Sequence, residues 1–461
     1  MNNIFSKDSN ITQDSYNKLL SEYADMAHES TKINSVLYSQ YKVKRGLRNS
    51  DGSGVLVGLT TVGSVVGYAI DNQEVKPIDG RLLYRGIEIR DLVNGFQKDK
   101  RFGYEETVFL LLFGKLPTAD QLDKFCDFME ASRALPDRFK EDAILPMPSP
   151  DVMNKLARCI LSSYAFDPNP DDISATNVTR QCIELISRLP TFAVYGYQAK
   201  AHYYLGQSLH MRIPEPTKST AEHILCLLRP YSEYSPLEAE ILDLCLALHA
   251  DHGGGNNSTF TTHVVSSTYT DTYSAIAAAI LSLKGPRHGG ANIQVAHMIA
   301  DLKNYVTNWN DLGQIRDYIS KLLDKQVFDK SGLIYGLGHA VYKLSDPRAE
   351  ILEAKAKELA EVNSNMDEFY LYKNVAEIGQ ELFQEKTKLP KLCINVDFFS
   401  GLIYKMLNIP EDLFTPLFAV GRIPGWAAHR IEELNGNGRV IRPAYKFILP
   451  ETEYTPINKR N

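Results

Sequence analysis

Four short segments of this chain place glycine beside residues that can move protons. They are LHADHGGGNNSTF (248–260), LKGPRHGGANIQV (283–295), YGLGHAVYKLSDPR (335–348) and NVDFFSG (395–401). Histidine titrates near neutral pH, so His252, His288 and His339 can each present either a proton or a lone pair. Glycine lets backbone approach a ligand closely, and breaks between helices are where such groups are usually displayed. Asp397 sits in the apolar frame CINVDFFSG, where loss of water makes a carboxylate a stronger base. Each segment also has a plain explanation. A histidine beside a helix end can bond a neighbouring carbonyl, and Asp397 can cap a helix beginning near Phe398.

Other chemistries fit less well. His249 and His252, spaced i and i+3 around Asp251, could belong to a metal site, and adding His288 or His339 gives a metal-dependent hydrolase as the rival reading. No third ligand stands at matching spacing. YGLGHAV contains GxG without the last glycine of a dinucleotide fingerprint, and no GxxxxGK(S/T) phosphate loop occurs. The six cysteines, Cys126, Cys159, Cys182, Cys226, Cys245 and Cys393, form no CxxC pair, so they predict buried reduced thiols.

These segments need a framework of helices. The chain has 461 residues, 44% hydrophobic and 23% charged, with a formal net charge of -6. That composition predicts a folded protein of two or three domains with no general affinity for nucleic acid or anionic membrane. Residues 1 to about 50 read as a polar appendage with one amphipathic helix around Tyr16 to Met26. Residues 1–30 lack the apolar core of a signal peptide and carry too many acids for a transit peptide, which predicts a cytoplasmic location. The β-branched, glycine-punctuated stretch from Gly54 to Gly86 predicts a small β element. From Ile87 onward, segments such as YEETVFLLLFG and PLEAEILDLCLALHAD carry helical periodicity bounded by Pro, Gly and Asp. An all-α body is the expectation.

GPRHGGAN, GLGHAVYKLSDPR, NVDFFSG, LHADHGGGNNST, GRIPGWAAHR and RVIRPAY together resemble the citrate synthase family, and they occur in that family's order. The resemblance runs from about Gly58, through LLYRGIEIRDL and LLLFGKLPT, to about Tyr445. It implies a large helical domain built from 51–289 and 397–461, a smaller inserted helical domain over 290–396, and an active site in the cleft between them. It also implies a homodimer that closes over its first substrate, with Gly289, Gly290 and Gly401 flanking the joints.

The implied reaction joins the methyl carbon of acetyl-CoA to the ketone of oxaloacetate, and water then releases citrate and coenzyme A. A 2-methylcitrate synthase using propionyl-CoA is the near alternative. One methyl group supports only about 1–3 kcal/mol of discrimination. Such a reaction needs a base for a very weak carbon acid, and donors for the enolate oxygen and the ketone oxygen. It needs no metal or redox cofactor.

By the resemblance, Asp397 is the base, His288 donates to the thioester carbonyl and His339 donates to the ketone. The helix start near Gly290 and the neighbouring Arg287 are expected to keep His288 neutral. Arg348 and Arg422 match the carboxylate clamps, and Arg442 matches an arginine given to the partner subunit's site. His252, with Asn256, matches a further oxaloacetate contact. The loop residues Tyr335, Gly336, Leu337, Gly338, Ala340 and Val341, followed by Lys343, match the coenzyme A cradle. This chain departs from many bacterial members in having Gly253, Gly254 and Gly255 directly after His252.

Overall fold

Helix boundaries follow capping chemistry throughout. Thr118 and Gln121 form a reciprocal capping box at Ala119–Ser132, and Ser235 and Glu238 form another at Pro236–His249. Asp346 caps Pro347–Val362, whose first residue is the proline that helix starts favour. Gly114, at φ +77°, closes Tyr104–Phe113 in the left-handed conformation. The computed structural model describes residues 12–71, 74–214, 216–217, 219–436 and 438–460. Among them are 17 α-helices and one three-stranded sheet, the mainly helical class read from the periodicity.

Internal contacts divide the chain into Met1–Val57 and Gly58–Asn461. The first unit contains the helices Gln13–Ser30 and Ser35–Gln40. Gln13–Ser30 extends the expected Tyr16–Met26 helix at both ends because Thr12 caps its N-terminus, and none of its residues is buried.

The second unit opens with strands Gly63–Asp71, Glu74–Tyr84 and Ile87–Glu88, paired antiparallel in that order. Val65 faces Leu82 and Gly63 faces Tyr84, with a bulge between Val66 and Tyr68. The β element therefore begins at Gly63, later than the sequence pattern indicated. The last residue of its second strand positions the first histidine segment. The buried Tyr84 hydroxyl lies 3.2 Å from the carbonyl oxygens of Ala247, Leu248 and Asp251 and accepts from the Asp251 N–H.

The helical interior centres on Phe414–Asn435, in which every residue from Phe414 to Arg430 is buried. A helix apolar on all sides must be enclosed, and this one packs against Tyr104–Phe113, Ala175–Leu205, Pro236–His249, Asn257–Ser266 and Thr272–Lys284. Two features let it pack so closely. Gly421 and Gly425 lie one turn apart against the end of Pro236–His249. A Cβ at Gly425 would stand 2.4 Å from the Ala250 oxygen, and one at Gly421 would stand 2.8 Å from the His249 Cβ. Pro424 cannot donate to the carbonyl four residues back, and that Val420 oxygen instead accepts from the Tyr104 hydroxyl at 2.7 Å.

Candidate active site

Phe414–Asn435 delivers Arg422 to the end of the His249–His252 turn, and Arg422 is the group that the other candidates share. Its guanidinium is buried, donates through Nε to the His249 carbonyl and lies 4.8 Å from the Phe418 ring centroid. Its Nη1 has no protein partner. Burial, aided by Arg348 and opposed by Asp251, lowers its pKa to about 10, so it stays protonated near neutral pH. The Arg422 charge acts on Asp397, His288, His252 and Arg348. Residues spread over 170 positions of sequence thus converge.

Asp397 occupies the first turn of Val396–Met406 without capping it. Asn395 is the cap, accepting from the Asp397 N–H at 3.0 Å. The plain alternative for Asp397 is thereby removed, and its carboxylate is left for other work. Solvent still reaches part of the side chain, yet burial raises its pKa to about 6, with Arg348 and Arg422 opposing the rise. It is a carboxylate of raised basicity that remains partly accessible to solvent.

His288 lies two residues before the N-cap of Ala291–Tyr305, Gly290. Its Nε2 accepts from the Ser258 N–H at 3.3 Å and lies 3.1 Å from the Ser258 hydroxyl, to which the Trp426 indole donates at 3.1 Å. With Nε2 committed as an acceptor, the neutral ring carries its proton on Nδ1. Burial, followed by the Arg422 charge, lowers its pKa to about 4. The ring is held neutral as expected, but Arg287 is exposed and is not among the groups that act on it; burial and then Arg422 lower its pKa.

His339 has the opposite tautomer. The N–H groups of Val341 and Tyr342 both donate to its Nδ1 at 3.0 Å, so the neutral ring carries its proton on Nε2. Its ring is 5.1 Å from that of His252 and 4.6 Å from that of Tyr342. His252 is buried, held neutral by burial and by Arg348, and its Nε2 has no protein partner.

Arg348 is buried and already holds a carboxylate. Its Nε and Nη2 bind Asp346 at 3.1 and 2.8 Å, and Asp346 also accepts from the Arg348 N–H. The Asp346 pair raises the Arg348 pKa against the effect of burial. Only one edge of this fork remains for another anion.

The glycine loop is clasped to the strand-like run before Asp397. Leu337 pairs with Ile394, Gly338 N–H donates to Cys393, and the Asn395 side chain donates to Gly338 at 2.9 Å. Gly336 has φ +81°, and a Cβ there would strike Phe398 at 2.5 Å. Tyr335 donates to Asp329 at 2.5 Å. Val341 is half-buried, while Ala340 and Lys343 are exposed beside it.

Asn256 adjoins this group through Ser258, and Arg442 lies apart from it. Asn256 caps Asn257–Ser266, its Oδ1 accepting from the Ser258 N–H and hydroxyl at 3.3 and 2.9 Å. Arg442 is exposed, beyond the helical body. His249 is fully buried against Phe418, with both ring nitrogens unpartnered. Among the described residues no metal-ligand group includes His249 or His252.

Sequence reasoning missed Ser258, Trp426, Tyr342 and Asp346, which orient the reactive groups. Asp346 was readable, since Asp-Pro-Arg places a helix cap two residues before the arginine it pairs with. Ser258 was not, because its role depends on a contact with His288, 30 residues away.

Two neutral imidazoles with opposite tautomers, a carboxylate of raised pKa and two buried guanidiniums define a helical acid–base site for an anionic molecule. The family described as "Citrate synthase, C-terminal domain" matches residues 53–444. A citrate synthase of Haloferax volcanii is 33% identical over 91% of this chain and 99% of its own length. A 2-methylcitrate synthase 1 of Corynebacterium glutamicum is 32% identical over 92% of this chain and all of its own. The solved ternary complex of Thermoplasma acidophilum citrate synthase with carboxymethyl coenzyme A and oxaloacetate superposes with a TM-score of 0.74. It is 25% identical, covering 91% of this chain and 99% of that one. The chain belongs to the citrate synthase family.

Proposed function

We propose that this enzyme condenses acetyl-CoA with oxaloacetate and, after hydrolysis, releases citrate and coenzyme A. The observation that carries the reading is the convergence of Asp397, His288 and His252 on Arg422, with His339 against His252. In this reading the Asp397 carboxylate removes a methyl proton from the thioester. His288 donates through Nδ1 to the thioester oxygen as the enolate forms. His339 donates through Nε2 to the ketone oxygen as the carbon–carbon bond closes. Neutral rings suit both tasks, because each must offer one N–H without adding a formal charge that would hold the substrate as tightly as the transition state.

Arg422, the free edge of Arg348, and His252 would bind the two carboxylates of oxaloacetate. Asn256 acts mainly through the helix it caps and through Ser258, rather than as a primary contact. The clasped loop from Tyr335 to Val341, with Lys343, would receive coenzyme A. The solved relative bound to oxaloacetate and a coenzyme A derivative supports that pairing of ligands. We further propose the large and small domains at 51–289 with 397–461 and at 290–396, a homodimer in which Arg442 reaches the partner's site, and a cytoplasmic location. Among the described residues no helix is long and apolar enough to cross a membrane.

Propionyl-CoA is the second reading, supported by the 2-methylcitrate synthase relative, whose identity differs by a single percentage point from that of the Haloferax enzyme. Thiol release from oxaloacetate with acetyl-CoA or propionyl-CoA separates the two. The expected result is a kcat/KM at least about tenfold higher for acetyl-CoA. A preference for propionyl-CoA would assign the other substrate, and no thiol release with either would end the proposal.

A further inference from the structure

Outside this site, two helices bring a pair of imidazoles together nitrogen to nitrogen. His263, on Asn257–Ser266, points Nε2 at the Nδ1 of His429, on Phe414–Asn435, across 3.2 Å. The far nitrogen of each ring already meets a carboxylate: His263 Nδ1 lies 2.7 Å from Glu433 and His429 Nε2 lies 3.2 Å from Asp251. If both far nitrogens donate to those acids, the facing nitrogens present lone pairs to each other, a repulsion relieved by a proton on His429 or by a bound metal ion; the Thr60 hydroxyl lies 3.5 Å from the same His429 Nδ1. Glu432 stands one helical turn from His429. Its Oε1 accepts from the Thr61 N–H and hydroxyl at 2.7 and 2.8 Å. Its Oε2 is buried, has no hydrogen-bond partner and lies 3.7 Å from His429 Nδ1.

We infer that His263 Nε2, His429 Nδ1 and Glu432 Oε2 form a binding site for a divalent transition-metal ion of the zinc type. The three ligand atoms lie within 4.8 Å of one another. Zinc–nitrogen bonds of about 2.0–2.1 Å place two tetrahedral ligands roughly 3.3 Å apart, which is close to the observed imidazole separation. Histidines that bind zinc usually donate their other N–H to a carboxylate, the outer arrangement that Glu433 and Asp251 supply here. His263 and Glu432 are 13% and 21% exposed, so an ion can enter from solvent. Gly254 covers the cluster without a side chain. A Cβ there would be 3.6 Å from His263 Nε2, so glycine at this position leaves the approach open. The metal would take no part in the reaction. It would clamp two helices that also carry Ser258, Trp426 and Arg422.

Zinc titration of the chelator-treated full chain against a chromophoric competitor tests this, together with the visible spectrum of the cobalt-loaded chain. One zinc per chain is expected, with intense tetrahedral cobalt bands. His263→Gln and Glu432→Gln should each weaken zinc binding more than about tenfold, and Glu433→Gln about 10–100-fold. His297→Gln, which alters a surface histidine beside Glu411, should leave binding unchanged. Absence of stoichiometric binding to the unmutated chain, octahedral cobalt bands, or equal affinity in all variants would overturn the site. A shared proton would then be the cation between the rings. The stoichiometry and the cobalt spectrum are read on the unmutated chain, so the test survives a variant that fails to fold.

Discussion

Asp397 is the side chain whose surroundings contribute most directly to the proposed chemistry. Because burial raises its pKa to about 6 while that of His288 falls to about 4, kcat/KM should decline about tenfold per pH unit below pH 6. A pH–rate profile checks this, and an acid limb near 6 that persists in the residual activity of Asp397→Asn would point to another group. The same shift has a stability consequence. A carboxylate whose folded pKa is raised favours the folded state below its unfolded pKa, and loses that contribution as pH rises through the folded value. Asp397→Asn should therefore raise Tm at pH 8, by on the order of 1–3 °C, and leave it unchanged near pH 4. The same variant should lose about 10²–10⁴-fold in kcat while still binding oxaloacetate, measured by tryptophan fluorescence or calorimetry. The sequence revealed Asp397 through its apolar frame. It could not reveal that Asn395 does the capping, because the two residues compete for one role and only the backbone geometry decides between them.

Helices were legible wherever Ser, Thr or Asp stood before an apolar period, as at Thr118, Ser235 and Asp346. The close approach of Phe414–Asn435 to Pro236–His249 was not, because Gly421, Pro424 and Gly425 read locally as helix breakers. Tertiary contacts override that propensity: Tyr104 satisfies the carbonyl that Pro424 frees, and the glycines admit the neighbouring backbone. Tyr104→Phe should cost about 1–3 kcal/mol, since it leaves the buried Val420 oxygen without a donor. Denaturant unfolding measures this loss, and an unchanged midpoint would show that the carbonyl finds another partner.

On the level of the assembled enzyme, the proposed homodimer makes a prediction that a single chain cannot satisfy. Arg442 is exposed on its own chain while the other candidates gather without it. If it serves the neighbouring site, Arg442→Ala and Asp397→Asn inactivate different components of each active site. Mixing equal amounts of the two variants after reversible dissociation should then restore about a quarter of unmutated activity, because half the dimers are hybrids with one intact site. Activity no higher than that of the separate variants would place Arg442 outside the site. The family pattern was readable over most of the chain because its motifs are short and local. Dimer contacts, by contrast, depend on surfaces that no single segment encodes.

The Asp346–Arg348 pair carries a final consequence. An anion arriving at Arg348 meets a guanidinium whose field is already partly neutralised, so no visitor can draw on its full attraction. Citrate carries one more negative charge than oxaloacetate and would feel that built-in counterion most strongly. In the proposed reaction, Asp346 would thereby weaken the hold of Arg348 on the more highly charged product.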